Sequence, residues 1–159
     1  MSIYMKVPGV DGSVTAKGYE KWIELQSMQF GVGRAVSMTA GNMSNRLDGL
    51  PSFSEITISK ESDDATYGLL NESVLGKAVK EVTLVVVDSG DAPTEYVKYL
   101  LKDSLFSSYS MSAGGGGRPN ESVSISYAFL EVSFATHTQA NTAGGVPRVA
   151  YDLAKGTKG

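Results

Sequence analysis

Apolar and polar residues alternate with a period of two along most of the chain, and the exceptions are as telling as the rule. Residues 2–7 alternate and stop at Pro8, which predicts a strand. Asp11-Gly12 with Ser13 signals a turn. From Tyr19 the alternation resumes, with Trp22, Glu24, Gln26, Met28 and Phe30 on one face and Ile23, Leu25, Ser27 and Gln29 on the other. Neither face is cleanly apolar, the pattern of a strand with one face on a core and the other on an interface or lumen. Residues 37–52 carry Gly41, Asn42, Asn45, Asp48, Gly49 and Pro51 and predict a long loop, of the kind that is usually functional or disordered. A strand follows over Ser52–Ser59.

The period then changes. Asp63-Asp64 opens the one convincing helix, because an aspartate at the N-cap accepts orphan backbone N–H bonds and suits the positive end of the helix dipole. Leu69, Leu70 and Val74, with Tyr67, are expected to line one face, and Gly76 closes it. The β-branched run Val82–Val87 predicts a strand buried on both faces, and Asp88–Asp91 a turn. Thr94–Met111 reads as one long strand with a shift of register at Lys102-Asp103-Ser104, where a β-bulge is expected. Gly114–Gly117 predicts the next turn. Val123, Ile125, Tyr127 and Phe129 alternate, and the phase flips to Leu130, Val132 and Phe134. A Gly-rich loop is predicted over 137–147, then a last strand through Val149, Tyr151 and Leu153, then a flexible tail over 154–159. Seven or eight strands and one short α-helix in a single domain over 1–159 give a mainly β fold, an antiparallel β-barrel or two packed sheets.

Composition narrows the function more by exclusion. The net charge is −3 and the 14 Lys and Arg residues are scattered, so no basic face advertises nucleic acid. Cysteine is absent, which removes disulfides, thiolate metal sites and cysteine nucleophiles. The N-terminus has no basic start followed by an apolar run, so export by a cleaved leader is not expected, and no stretch is long enough for membrane insertion as a helix.

Catalytic chemistry finds little support. His137 is the one histidine and has no obvious partner, so a surface-loop role is expected. Asp63-Asp64 reads as a cap rather than half of a metal site. Gly31-Val32-Gly33-Arg34 lacks the third glycine and following helix of a dinucleotide fingerprint, and reads as a strand kink. Gly114–Gly117 with Arg118 lacks the Lys-Ser/Thr pair of a phosphate loop. The sequons at Asn42, Asn71 and Asn120 carry no weight without a leader. No catalytic, metal or cofactor-binding residues are therefore expected. More telling are Ser27, Ser107, Ser108, Ser110, Ser112, Ser122, Ser124 and Ser126, mostly at alternating strand positions. They form either a solvent-facing sheet or a small, uncharged surface that lines a channel or packs on a neighbour.

In sum these segments have a known order. The chain resembles the Hcp (haemolysin-coregulated protein) family of type VI secretion inner-tube proteins. The likeness is carried by Ile3–Ser13, by the strand ending Met28-Gln29-Phe30-Gly31, and by Ile56-Thr57-Ile58-Ser59-Lys60 with Asp63 and a short helix. It continues through Asn120–Val132 and closes at Val149–Leu153. The resemblance implies a β-barrel with one packed helix. It further implies homohexameric rings stacked into a tube, partnered by sheath and spike proteins and by effector cargo. Such a protein is made in the bacterial cytoplasm and then secreted without a leader. On this reading Arg46, Leu47, Asp48, Leu50 and Pro51 are the expected ring-stacking residues, and Ser27 and Gln29 the expected lumen-facing ones. A phage-like tail-tube subunit and a monomeric small-ligand barrel are the alternatives.

Overall fold

The breaks in alternation are corners, where one strand leaves a sheet and enters another. The computed structural model describes residues 1–36, 40–41, 50–88, 94–135 and 147–159. Its elements are β1 (Ser2–Lys6), β2 (Ile23–Leu25), β3 (Ser27–Gln29), β4 (Val32–Gly33), β5 (Ser52–Phe53) and β6 (Ile56–Glu61). After these come α1 (Thr66–Leu75), β7 (Val79–Val87), β8 (Glu95–Ser112), β9 (Asn120–Ser126), β10 (Phe129–Phe134), β11 (Arg148–Asp152) and β12 (Thr157–Lys158). All ladders are antiparallel. One sheet runs β12-β11-β10-β8-β7-β1-β2, the other β3-β6-β9-β8, and β4-β5 is a separate pair.

Strand β8 belongs to both sheets: it pairs with β7 and β10 up to Ser104, and with β9 from Leu105 onward. At the end of the first regime stands Asp103 at φ 51°. Aspartate tolerates this left-handed conformation better than most residues. The register shift itself falls between Phe106 and Ser108, so the expected irregularity at 102–104 is a left-handed corner and the bulge lies a few residues on. Two further corners match it. Gln26 separates β2 from β3, where the Gln26 N–H donates to the Ser59 carbonyl (2.8 Å), and Tyr127-Ala128 separates β9 from β10. The strand expected over 19–30 is thus two strands. Ile23 and Leu25 point to the core before the corner, and Met28 and Phe30 pack against it afterwards. Its half-polar faces record that change of side.

The core lies between the sheets. Met5, Ile23, Leu25, Val82, Leu84, Leu101 and Leu130 come from one, and Ile56, Ile58, Phe106, Val123 and Ile125 from the other, all buried. Each contributes about 1.5–3 kcal/mol of hydrophobic stabilisation. Val85 and Val87 are buried on the opposite face of β7, as the run Val82–Val87 predicts. There Val85 sits beside Tyr4 in the ladder, and Tyr19 packs on Tyr4 (5.1 Å) and Trp22 (5.2 Å). The Tyr19 hydroxyl reaches Glu95 (3.1 Å), fixing the 11–22 loop over this side.

The helix begins later and turns differently than the sequence predicts. Its N-cap is Ala65, with no side-chain cap; Asp63 instead organises the preceding turn, accepting the Ala65 N–H (2.9 Å) while its own N–H donates to Thr66 Oγ1 (3.0 Å). Leu69 is buried, but Tyr67 (78%), Val74 (77%) and Leu70 (42%) are exposed. At 100° per residue these three lie well off the Leu69 direction, so the expected apolar face is split. Gly76 at φ 61° ends the helix, its N–H donating to the Glu72 carbonyl. Residues 154–159, expected as a loose tail, turn back: Thr157–Lys158 pair with β11, and the Gly159 N–H donates to the Ala150 carbonyl.

Candidate functional site

Period two puts Ile56, Ile58 and Lys60 of β6 on the inward side and Glu55, Thr57, Ser59 and Glu61 on the outward side. Antiparallel register then extends each outward position into a row across the whole sheet. Ser27 stands opposite Ser59, Ser59 opposite Ser122, and Ser122 opposite Ser110. Next to it, Gln29 stands opposite Thr57, Thr57 opposite Ser124, and Ser124 opposite Ser108. Eight side chains on four strands carry hydroxyls or an amide and no charge. Ser27 and Ser59 hydroxyls meet at 2.5 Å. Ser27, Gln29, Ser108 and Ser110 are exposed, and the β6 and β9 members are half-buried.

A carboxylate bounds the field at each end. Ser107 Oγ donates to Glu55 Oε2 (2.8 Å), and Gln26 Nε2 donates to Glu61 Oε1 (3.2 Å). Glu55 and Glu61 are both exposed, and neither has an ion-pair partner among the described residues.

The reverse of the same sheet holds a buried charge cluster. Lys60 Nζ contacts Glu121 Oε2 (2.6 Å), Asp63 Oδ1 (2.7 Å) and the Glu61 carbonyl (2.8 Å). Glu121 also accepts the hydroxyls of Thr66 (2.8 Å) and Tyr109. Burial opposes the Glu121 charge, but the bonds from Lys60, Tyr109 and Thr66 outweigh it and hold the carboxyl below the ordinary range. Burial, and then the bond to Glu121, raise the Tyr109 phenol. The cluster joins the first turn of α1 to β6, β8 and β9. It is a fastening for the sheet, with every polar group facing a partner and none facing outward.

The structure brings Ser27 and Gln29 together with six residues of the same kind. Thr57 and Ser59 were not singled out by sequence, although their alternation with Ile56 and Ile58 carries the signal. Of the loop residues expected to stack rings, Leu50 is exposed (70%) and Pro51 half-buried; Arg46, Leu47 and Asp48 lie outside the described residues, as does His137. Gly31–Arg34 contributes β4 and Gly114–Gly117 the β8–β9 turn. Asp63 is committed to Lys60, and Asp64 accepts the Ser13 hydroxyl (3.2 Å). Among the described residues no group of three or more His, Cys, Asp or Glu is placed to hold a metal ion. A separate apolar groove of about 280 Å³ is lined by Phe30, Phe53, Tyr99, Phe134 and Tyr151, with Val149 at its edge.

The eight side chains of the hydroxyl field can donate and accept hydrogen bonds, and none of the eight is itself a base. Its small uncharged side chains suit it to contact with a polar surface. Comparison with known proteins agrees with that character. No curated protein matches the chain. The solved structure described as a type six secretion system protein superposes with a TM-score of 0.92 at 25% identity, covering 99% of each chain. Hcp1 from Salmonella typhimurium superposes at 0.81 with 23% identity, over 99% of this chain and 97% of that one. The secreted protein Hcp3 from Pseudomonas aeruginosa superposes at 0.62 with 16% identity, over 95% and 97%. The family described as "Type VI secretion system effector, Hcp" matches residues 4–134. The order of strands, the short helix α1 and this match together establish that the chain belongs to the Hcp family of type VI secretion proteins.

Proposed function

We propose that residues 1–159 act as one structural tube domain, assembling into hexameric rings that stack into the inner tube of a type VI secretion apparatus. The observation that carries this reading is the four-stranded hydroxyl sheet. Its outward face is uncharged across both rows, and among the described residues no strand pairs with the outer edge of β3 or of Leu105–Ser112. An open edge is a template for another chain. With four antiparallel strands the two edges run in opposite directions. Copies related by rotation about an axis along the strands therefore meet edge to edge, still antiparallel, and the rows continue around the ring. Such contacts are heterologous and close only by symmetry.

Ser27 and Gln29 then face the lumen with the rest of the field, where effector cargo passes. A lumen of small hydroxyls offers cargo no large apolar patch to stick to. Arg46, Leu47, Asp48, Leu50 and Pro51 remain the proposed stacking contact, supported by the exposure of Leu50. Sheath and spike proteins are the proposed outer and terminal partners, with the chain made in the cytoplasm and leaving through the apparatus.

Light scattering on purified protein tests the reading. A ring of six 16.8 kDa subunits has a mass of about 100 kDa and shows a central hole by negative stain. The apolar lining of the groove favours a second reading, a small-ligand barrel, although its volume of about 280 Å³ falls just under the roughly 300 Å³ at which ligand pockets begin. That protein would scatter as a 17 kDa monomer, and this outcome would discard the tube. Deleting residues 42–50 separates the two proposed contacts: rings persist and stacks are lost.

A further inference from the structure

We infer that the hydroxyl face is selective for cationic cargo, with Glu55 and Glu61 as the selecting groups. The inference rests on the tube reading and adds to it a chemical class of passenger.

Thr57, Ser59 and Glu61 project from one side of β6, and Glu55, the residue before the strand, continues the alternation and meets Ser107, so the two carboxylates lie at opposite ends of the hydroxyl rows. Six residues of strand separate them by about 20 Å. Between them no side chain of either row is charged. Each carboxylate is aimed by a neutral donor, Glu55 by Ser107 and Glu61 by Gln26, which holds the group in place and leaves its charge intact. The other carboxylates at the same sheet are spent differently: Glu121 and Asp63 both close on Lys60 on the buried side. Arg118 shares a cleft with Glu24, Glu61 and Asp63 and, among the described residues, makes no ion pair there within 4.0 Å.

In a closed ring every copy contributes one Glu55 and one Glu61. The consequence is a negative belt at each rim of the lumen and a neutral wall between. Like charges around an enclosed channel focus the field toward its axis, and rings of Asp or Glu are a known means of favouring cations. The belts draw in a basic segment, and the hydroxyl wall offers it hydrogen bonds without trapping it in an ion pair. An acidic segment meets repulsion at either mouth.

The test uses the assembled wild-type ring and two labelled probes of equal length, decalysine and decaglutamate, followed by fluorescence anisotropy at low and physiological salt. Decalysine should bind, weaken as salt is raised, and weaken about tenfold in the double variant Glu55→Gln with Glu61→Gln. Decaglutamate should not bind. A matched control, Glu72→Gln with Glu81→Gln, changes net charge equally on other surfaces and should bind decalysine like wild type. Equal binding of both probes, or equal loss in both double variants, overturns the inference. Light scattering on the same samples keeps the two questions apart. A 17 kDa monomer refutes the tube, whereas a ring indifferent to Glu55 and Glu61 refutes only the selection.

Discussion

Lys60 and Glu121 are direct partners in the β6–β9 ladder, and their side chains meet at 2.6 Å on the buried face of the hydroxyl sheet. Two charges removed from water gain little net stability from each other, but removing one strands the other in part: without Glu121 the buried Lys60 keeps only Asp63 and the Glu61 carbonyl, and the Thr66 and Tyr109 hydroxyls lose their acceptor. Glu121→Ala should therefore destabilise the fold by about 3–5 kcal/mol, read from the urea midpoint. The double variant Lys60→Met with Glu121→Leu should cost less than Glu121→Ala alone. A double variant at least as unstable as the single one would show that the pair itself, not the stranded charge, is what the fold needs.

The same carboxylate sets an acid limit. Its folded-state pKa is depressed, so the stability it contributes is present above the ordinary glutamate pKa of about 4.3 and is lost as pH falls through the lower folded value. Urea midpoints measured from pH 7 down to pH 2 should fall in wild type across that window. Glu121→Gln, lower at neutral pH, should show a shallower fall.

At the alkaline end the sign reverses. Burial, aided by the Glu95 charge, pushes Tyr19 up to about 12, and burial, aided by Glu55, does the same to Tyr127. A phenol raised above the unfolded value of about 10 stabilises the fold below that pH, and the contribution disappears as pH rises through 12. Absorbance titration should find these two tyrosines ionising after the exposed ones. Tyr127→Phe should remove one late step, at the cost of the bond from its hydroxyl to the Ser54 carbonyl (2.7 Å).

Two glycines are fixed by their neighbours rather than by their φ angles. A Cβ on Gly12 would stand 2.3 Å from the Trp22 carbonyl oxygen, which is backbone and cannot yield cheaply. Gly12→Ala should cost about 1–3 kcal/mol. Gly68 is the sharper test, because alanine inside a helix gains about 1 kcal/mol over glycine. There a Cβ meets Val10 Cγ1 at 2.7 Å, and Val10 is itself buried. Gly68→Ala should come out net destabilising by thermal melting; a stabilised variant would mean that the Val10 turn gives way.

Much of this fold is legible in the sequence because alternation is a strong signal. The strands at 2–7, 82–87 and 94–111 (observed over Glu95–Ser112), the turn at Gly114–Gly117 and the flip after Tyr127 are all readable. Corners are harder, because a strand that changes sheets also changes which side faces the core. Read as one strand, 19–30 looks half-polar on both faces; divided at Gln26, each half is regular. The helix misled for a related reason: Tyr67, Leu70 and Val74 are apolar without being inward. Six of the eight residues of the hydroxyl face stand out in the sequence, all but Thr57 and Ser59, but their rows do not. Register between β3, β6, β9 and β8 is a long-range property, and only pairing aligns Ser27 with Ser59, Ser122 and Ser110.

The corner at Asp103 has a mechanical consequence. Because β8 runs through both sheets, its covalent backbone is a strut between them. A thrust delivered to one sheet reaches the hydroxyl sheet through peptide bonds, without relying on side-chain friction across the core. If copies pair at the free edges as proposed, those ladders are the weakest points under load, and the subunit itself should be the last thing to yield.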